Sequence, residues 1–136
     1  MNFTAVNFLA IVVSAIAFMA VGFLWYGPLF ANRWMALVGM TREQIEQSGA
    51  NPAMYGLTFV GALVASYVLA LFISAAGMGT LTGGVGIGLL AGLGFVATSF
   101  GSNYLFGRRS FSLYLLDAGY QVVSLVIGGA ILGAWR

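Results

Sequence analysis

The sequence predicts an all-α integral membrane domain: a bundle of four spanning helices with a short interfacial helix between the first and second. Composition, the spacing of charges and the length of the uncharged runs predict it together. Of 136 residues, 61% are hydrophobic and only 6% charged, against roughly 25% charged in soluble folds. The charged side chains are Arg33, Arg42, Glu43, Glu46, Arg108, Arg109, Asp117 and Arg136, which leaves 1–32 and 47–107 without charge. As one helix, 47–107 would measure about 90 Å at 1.5 Å per residue. A crossing takes about 20 residues, so this stretch holds two crossings and a turn.

The first crossing, 3–26, lacks the basic start of a secretory signal and is longer than its apolar region, so it remains as a helix. Trp25 and Tyr26 close it with rings that favour the headgroup layer, and Gly27-Pro28 interrupts the helical ladder. Residues 29–51 form the one sizeable polar connection. There Phe30, Trp34, Leu37 and Val38 recur at helical spacing, as in an element lying at the interface with its apolar side down; an ordinary loop is the alternative. Thr41 and Gln44 have capping-box spacing ahead of a short surface helix over 42–48, with Gly49 as its stop. Asn51-Pro52 starts the second crossing, 52–76. A turn of Gly77, Gly79 and Thr80 leads into the third, 81–106. Arg108 and Arg109 mark the last connection, and the fourth crossing, 110–135, ends at Trp135. The chain is one transmembrane domain.

Four crossings put Arg33, Arg42, Arg108 and Arg109 on one face and Arg136 with both termini on the other. The bias of arginine toward the cytoplasmic side then places the arginine-bearing loops in the cytoplasm and both termini outside a cell (inner) membrane. Trp25, Tyr26, Trp34, Arg33, Arg108, Arg109 and Trp135 read as interface anchors. The ends of crossings one and three are alike, Tyr26-Gly-Pro-Leu-Phe-Ala-Asn-Arg33 and Tyr104-Leu-Phe-Gly-Arg-Arg109. Two tandem helical hairpins related by a pseudo-two-fold along the membrane normal would produce this. So would the general habit of membrane helices to end in aromatic and then basic residues.

The chain has no Cys and no His. That removes thiolate and imidazole metal sites, haem ligation by His and every mechanism with a His base, so neither a metal nor another cofactor is expected. Scattered arginines do not make the clustered basic face that nucleic acid requires. Enzymatic chemistry is disfavoured for want of a nucleophile and base pair. Intramembrane aspartyl proteolysis needs two acids sharing a proton, and the crossings contain one.

Lipid tails are as apolar as leucine, so helices associate through close packing and interhelical hydrogen bonds. Gly84, Gly88 and Gly92 repeat every four residues in the third crossing, leaving one face nearly bare backbone. Ala62, Ser66, Ala70 and Ser74 form a similar strip in the second. Both strips are expected to face neighbouring helices, whereas Ala10, Ser14 and Gly22 of the first are interrupted by Phe18. Glycines that act as hinges or line a solute path are the alternative.

Asp117 lies roughly 10 Å along the fourth helix from its basic end, within a hydrocarbon layer about 30 Å thick. An ionised carboxylate at that depth costs on the order of 2–3 kcal/mol, so it needs partners. Tyr114, Asp117, Gln121, Ser124 and Gly128 share an arc of about 80°, with Phe111, Leu115, Val122 and Val126 opposite. The polar stripe is expected to face protein or trapped water and the aliphatic side lipid. Asn103, with Ser102 and Ser99, lies at comparable depth on the third helix and is the first partner expected for Asp117; Arg33, Arg108 or Arg109 reaching inward is the alternative. Asp117 then reads as a structural hydrogen-bond node, or as a proton or cation site.

Leu24-Trp-Tyr-Gly-Pro-Leu-Phe30 with Trp34 downstream, Asn103-Tyr-Leu-Phe106 and Asp117-Ala-Gly-Tyr-Gln121 together resemble the small multi-pass membrane proteins of domain of unknown function family 1761. The likeness spans nearly the whole chain. It implies a four-helix membrane protein without an assigned activity, and it marks Trp25, Tyr26, Pro28, Asn103, Asp117 and Tyr120 as positions to mutate first. Members commonly carry Ser where this chain has Gly27 and His where it has Gln121, so proton chemistry at that His would be missing here.

A chain with so little polar mass acts through lipid, through neighbours or through what passes between its helices. The leading expectation is a membrane-interaction protein surrounded by membrane lipid, either a homo-oligomer or an accessory subunit of a larger membrane complex. The alternative is a small proton- or cation-coupled transporter or channel using Asp117, with its substrate open.

Overall fold

Asn7 and Pro28 set the limits of the first spanning helix. In the computed structural model, which describes residues 6–41, 43–44 and 52–135, the Asn7 side chain accepts from the Ala10 N–H at 3.1 Å and α1 runs over Phe8–Leu24. The expected start at residue 3 lies outside the described residues. At the other end Pro28 has no N–H to donate, and the Phe30 N–H bonds instead to the Trp25 carbonyl, five residues back, at 3.0 Å. This wide π-helical turn over Trp25–Leu29 departs from helical geometry at Gly27, with φ −111° and ψ −108°, and redirects the chain into α2, Ala31–Val38. A kink at proline is the expected consequence of a lost donor and a crowded ring.

Three further spanning helices follow: α3 over Pro52–Ala76, α4 over Leu81–Phe106 and α5 over Phe111–Ala134. With Phe8–Leu29 they are four segments long and apolar enough to cross a membrane, and the described residues include no strand. The starts of α4 and α5 are capped: Thr80 accepts from the Gly83 N–H at 2.9 Å and Ser110 from the Leu113 N–H at 3.1 Å. After α3, Gly77 takes φ +69°, the left-handed conformation that ends a helix most cheaply when no Cβ is present. The capping box between Thr41 and Gln44 is formed in both directions, at 2.8 and 3.2 Å. The expected surface helix over 42–48, its stop at Gly49 and the cap at Asn51 fall largely outside the described residues.

α5 is the hub, touching α1, α2, α3 and α4. Consecutive spanning helices pair as α1 with α3 and α4 with α5, the pairing expected of two hairpins. The two pairs use small residues differently. Between α4 and α5 the backbones meet: a Cβ on Gly84 would collide with the Gly129 carbonyl, one on Gly88 with the Leu125 carbonyl, and one on Gly133 with the Thr80 carbonyl. Between α1, α3 and α5, Ser66 donates to Ser14 at 3.0 Å with neither residue exposed, and the ring of Phe18 fills the space above Gly128. Phe18 is thus the knob of the α1 strip, not an interruption of it. Ala62, Ser66 and Ala70 are buried as expected, and Ser74 is half-buried.

The lipid-facing side expected for α5 holds only in part. Phe111 and Leu115 are exposed, but the Val122 side chain packs under Gly92, and the backbone of Val126 lies beside Gly88. Where the opposing helix is bare glycine, a β-branched side chain supplies the van der Waals contact that its own polar stripe cannot. Trp34, Met35, Leu37 and Val38 of α2 are partly buried, and α2 contacts α5 and the end of α1, so this short helix folds onto the bundle.

Candidate functional site

Four elements converge around Asp117 at the arginine-bearing end. Asp117 stands in the second turn of α5. Tyr26 comes from the π-helical turn that ends α1 and donates to Asp117 Oδ1 at 2.7 Å; Tyr104, near the end of α4, donates to Oδ2. The carboxylate therefore bridges three helices, with one hydroxyl donor on each oxygen. Trp34 of α2 closes over Tyr26, edge to face at 6.2 Å between centroids.

The redirected end of α1 explains how Tyr26 arrives. Trp25, its neighbour, donates its indole N–H to the Leu116 carbonyl at 2.9 Å, so consecutive aromatic residues of α1 hold consecutive residues of α5. Tyr120, one turn further along α5, donates back to the Phe18 carbonyl at 3.1 Å and meets the Tyr26 ring at 5.4 Å. Trp25 and Tyr26, expected as headgroup anchors, spend their polar atoms inside the bundle.

Tyr104 arrives by a second irregularity. Residues Gly92–Ala97 of α4 form a π-helical stretch, which takes in one residue more than an α-helix over the same rise. At 100° per residue Asn103 would lie about 20° from Gly92 around the helix and Tyr104 about 120°. One inserted residue brings Tyr104 to about 20° and carries Asn103 away. Asn103, the expected partner of Asp117, is accordingly exposed. The stretch is held by Tyr114, whose hydroxyl donates to the Ala97 carbonyl at 2.9 Å, and by Thr98, which donates to the Gly94 and Phe95 carbonyls at 2.8 and 3.1 Å.

Both oxygens of the acid are held by tyrosines, not by an arginine. Arg109 sits instead over the Tyr104 ring, 5.2 Å from its centroid, a cation–π contact. Arg33 and Arg108 are exposed. Of the remaining stripe residues, Ser124 is fully buried and Gln121 half-buried. Trp135 is 41% exposed just beyond α5. No group of three His, Cys, Asp or Glu residues gathers among the described residues.

Beside the clamp, α1 and α3 part. Residues 52–58 at the start of α3 are all exposed, and the crevice so formed has a volume of about 420 Å³, lined among others by Met19, Phe23, Tyr26, Tyr55, Thr58 and Tyr120. Tyr26 faces this space and holds the acid at the same time.

The family model for proteins of unknown function DUF1761 matches residues 9–133, all but the first eight residues and the last three. The chain belongs to this family. Nothing among curated proteins or solved structures matches it. In this DUF1761 member, five of the six positions marked by the resemblance lie together: Trp25, Tyr26 and Pro28 in or at the π-helical turn, with Asp117 and Tyr120 on the face of α5 that meets it. Asn103 is the exception. Tyr104, adjacent to it in sequence, is the residue that reaches the acid, and the signal for it was the likeness between the Tyr26 and Tyr104 segments.

Proposed function

We propose that this DUF1761 protein is a membrane-interaction protein, a homo-oligomer or an accessory subunit in a larger membrane complex, in which Asp117 is a structural node. The observation that supports this reading most is the pair of tyrosine donors on Asp117: a carboxylate with each oxygen held from a different helix fixes the arrangement of α1, α4 and α5. In lipid such polar contacts act as glue between helices, and they define the surface the bundle offers to neighbours. The arginine-bearing loops are assigned to the cytoplasm and both termini to the outside, on the arginine bias.

A second reading, a small proton- or cation-coupled transporter, draws its support from the 420 Å³ crevice, because Tyr26 joins that space to the acid. Proteoliposome flux with the wild type and Asp117→Asn separates the two. On the first reading no pH-gradient-dependent flux appears, and the substitution lowers the stability of the assembly measured by native mass spectrometry. Flux that the substitution abolishes would replace the first reading with the second.

A further inference from the structure

A smaller pocket, of about 230 Å³, lies where the end of α1, α2 and the start of α5 meet, and its lining divides cleanly by polarity. Trp25, Phe30, Leu115 and Leu116 make an apolar floor, and Arg33 and Ser112 supply the polar groups. The indole N–H of Trp25 is already spent on the Leu116 carbonyl, so the floor presents carbon. Leu115 is 55% exposed and Phe111 71%, so the pocket opens along the outer side of α5, where acyl chains run.

We propose that this pocket binds an anionic phospholipid of the leaflet at the arginine-bearing end, its phosphodiester on Arg33 and Ser112 and the start of one acyl chain over Phe30 and Leu115. The guanidinium is permanently charged and presents a planar fork that matches two phosphate oxygens, and the Ser112 hydroxyl is a further donor. No carboxylate lines the pocket, so it offers no opposite charge to the ammonium of a zwitterionic headgroup. A free phosphate would satisfy Arg33 but leave the apolar floor uncovered; a phospholipid matches both halves. This site is separate from the Asp117 clamp, and its test does not depend on what that clamp does.

The full chain, freed of lipid in detergent, is titrated with phosphatidylglycerol or phosphatidylcholine and the bound fraction counted by native mass spectrometry. Attraction of an anionic lipid to any one arginine near the surface is worth about five-fold in affinity, so Arg108→Gln serves as the measure of that general effect. The site requires more of Arg33: Arg33→Gln weakens phosphatidylglycerol at least tenfold, while Arg108→Gln costs five-fold or less, and the thermal unfolding of both lipid-free variants matches the wild type. Leu115→Ala lowers the affinity for phosphatidylglycerol and leaves that for its deacylated headgroup, glycerophosphoglycerol, unchanged. Equal binding of the two lipids, equal losses from the two arginine substitutions, or displacement of the lipid by millimolar inorganic phosphate would each overturn the proposal.

Discussion

Tyr26 and Tyr104, on helices that begin different hairpins, donate to opposite oxygens of a single carboxylate, that of Asp117. Each tyrosine opens one of the two similar segments, Tyr26 to Arg33 and Tyr104 to Arg109, and each follows or sits within an irregular end of its helix. The likeness of those segments thus has a structural counterpart: both end at the same acid.

Removing one hydroxyl leaves one carboxylate oxygen without its partner inside the bundle. Tyr26→Phe and Tyr104→Phe are each expected to lower stability by about 0.6–1.7 kcal/mol, the range for polar contacts between membrane helices. Because they share one acceptor group, the double variant should depart from additivity. Reversible unfolding in mixed micelles measures all three.

The π-helical stretch of α4 is what selects Tyr104 over Asn103. Gly94 lies within it with open space where a side chain would stand, so its deletion should restore a regular helix at little packing cost. Eleven regular steps from Gly92 then still bring Tyr104 to about 20° around the helix, so it stays opposite Asp117 and Asn103 stays away. In the deletion background Tyr104→Phe is expected to remain costly in the same unfolding assay, while Asn103→Ala remains silent.

Glycines on the two sides of α4 should respond unequally to alanine. Gly88→Ala drives a methyl into the Leu125 carbonyl, whereas Gly86 has nothing within 4 Å. Overpacking of this kind costs about 1–3 kcal/mol, and a substitution into open space changes stability by about 0.5 kcal/mol or less. Thermal unfolding of the two variants in one detergent makes the comparison.

The Ser14–Ser66 hydrogen bond gives a test of a different kind. Either serine replaced by alanine strands the other hydroxyl where neither residue is exposed, at about 1–3 kcal/mol for an unsatisfied buried group. Replacing both removes the need, so the double variant should be more stable than either single one, as read by the same unfolding transition.

Much of this arrangement is legible in the residues. Long apolar runs locate α3, α4 and α5 to within a residue, because a membrane helix satisfies its own backbone and needs only length and apolarity. The depth of Asp117 marks it as needing partners. The identity of those partners is not legible, because each depends on a place where the helix leaves 3.6 residues per turn. Pro28 announces the first such place, but the redirection of Tyr26 inward follows from the geometry of the turn. The second lies in Gly92–Ala97, where no proline announces it and the glycines do not stand out in a helix so rich in them, and the extra residue there exchanges Asn103 for Tyr104. Val122 and Val126 were assigned to lipid by their angle from the polar stripe, yet α5 is a hub with helices on more than one side, and a two-sided wheel cannot describe it.

Asp117 is the one aspartate of the chain, so protein made with a ¹³C label at the aspartate carboxyl and at tyrosine Cζ gives a single carboxyl resonance. Solid-state NMR in a lipid bilayer then reads its tyrosine neighbours directly. Two short-range correlations are expected, one lost in Tyr26→Phe and the other in Tyr104→Phe. A carboxyl resonance with no tyrosine contact, or one correlated with lipid chains, would contradict the account.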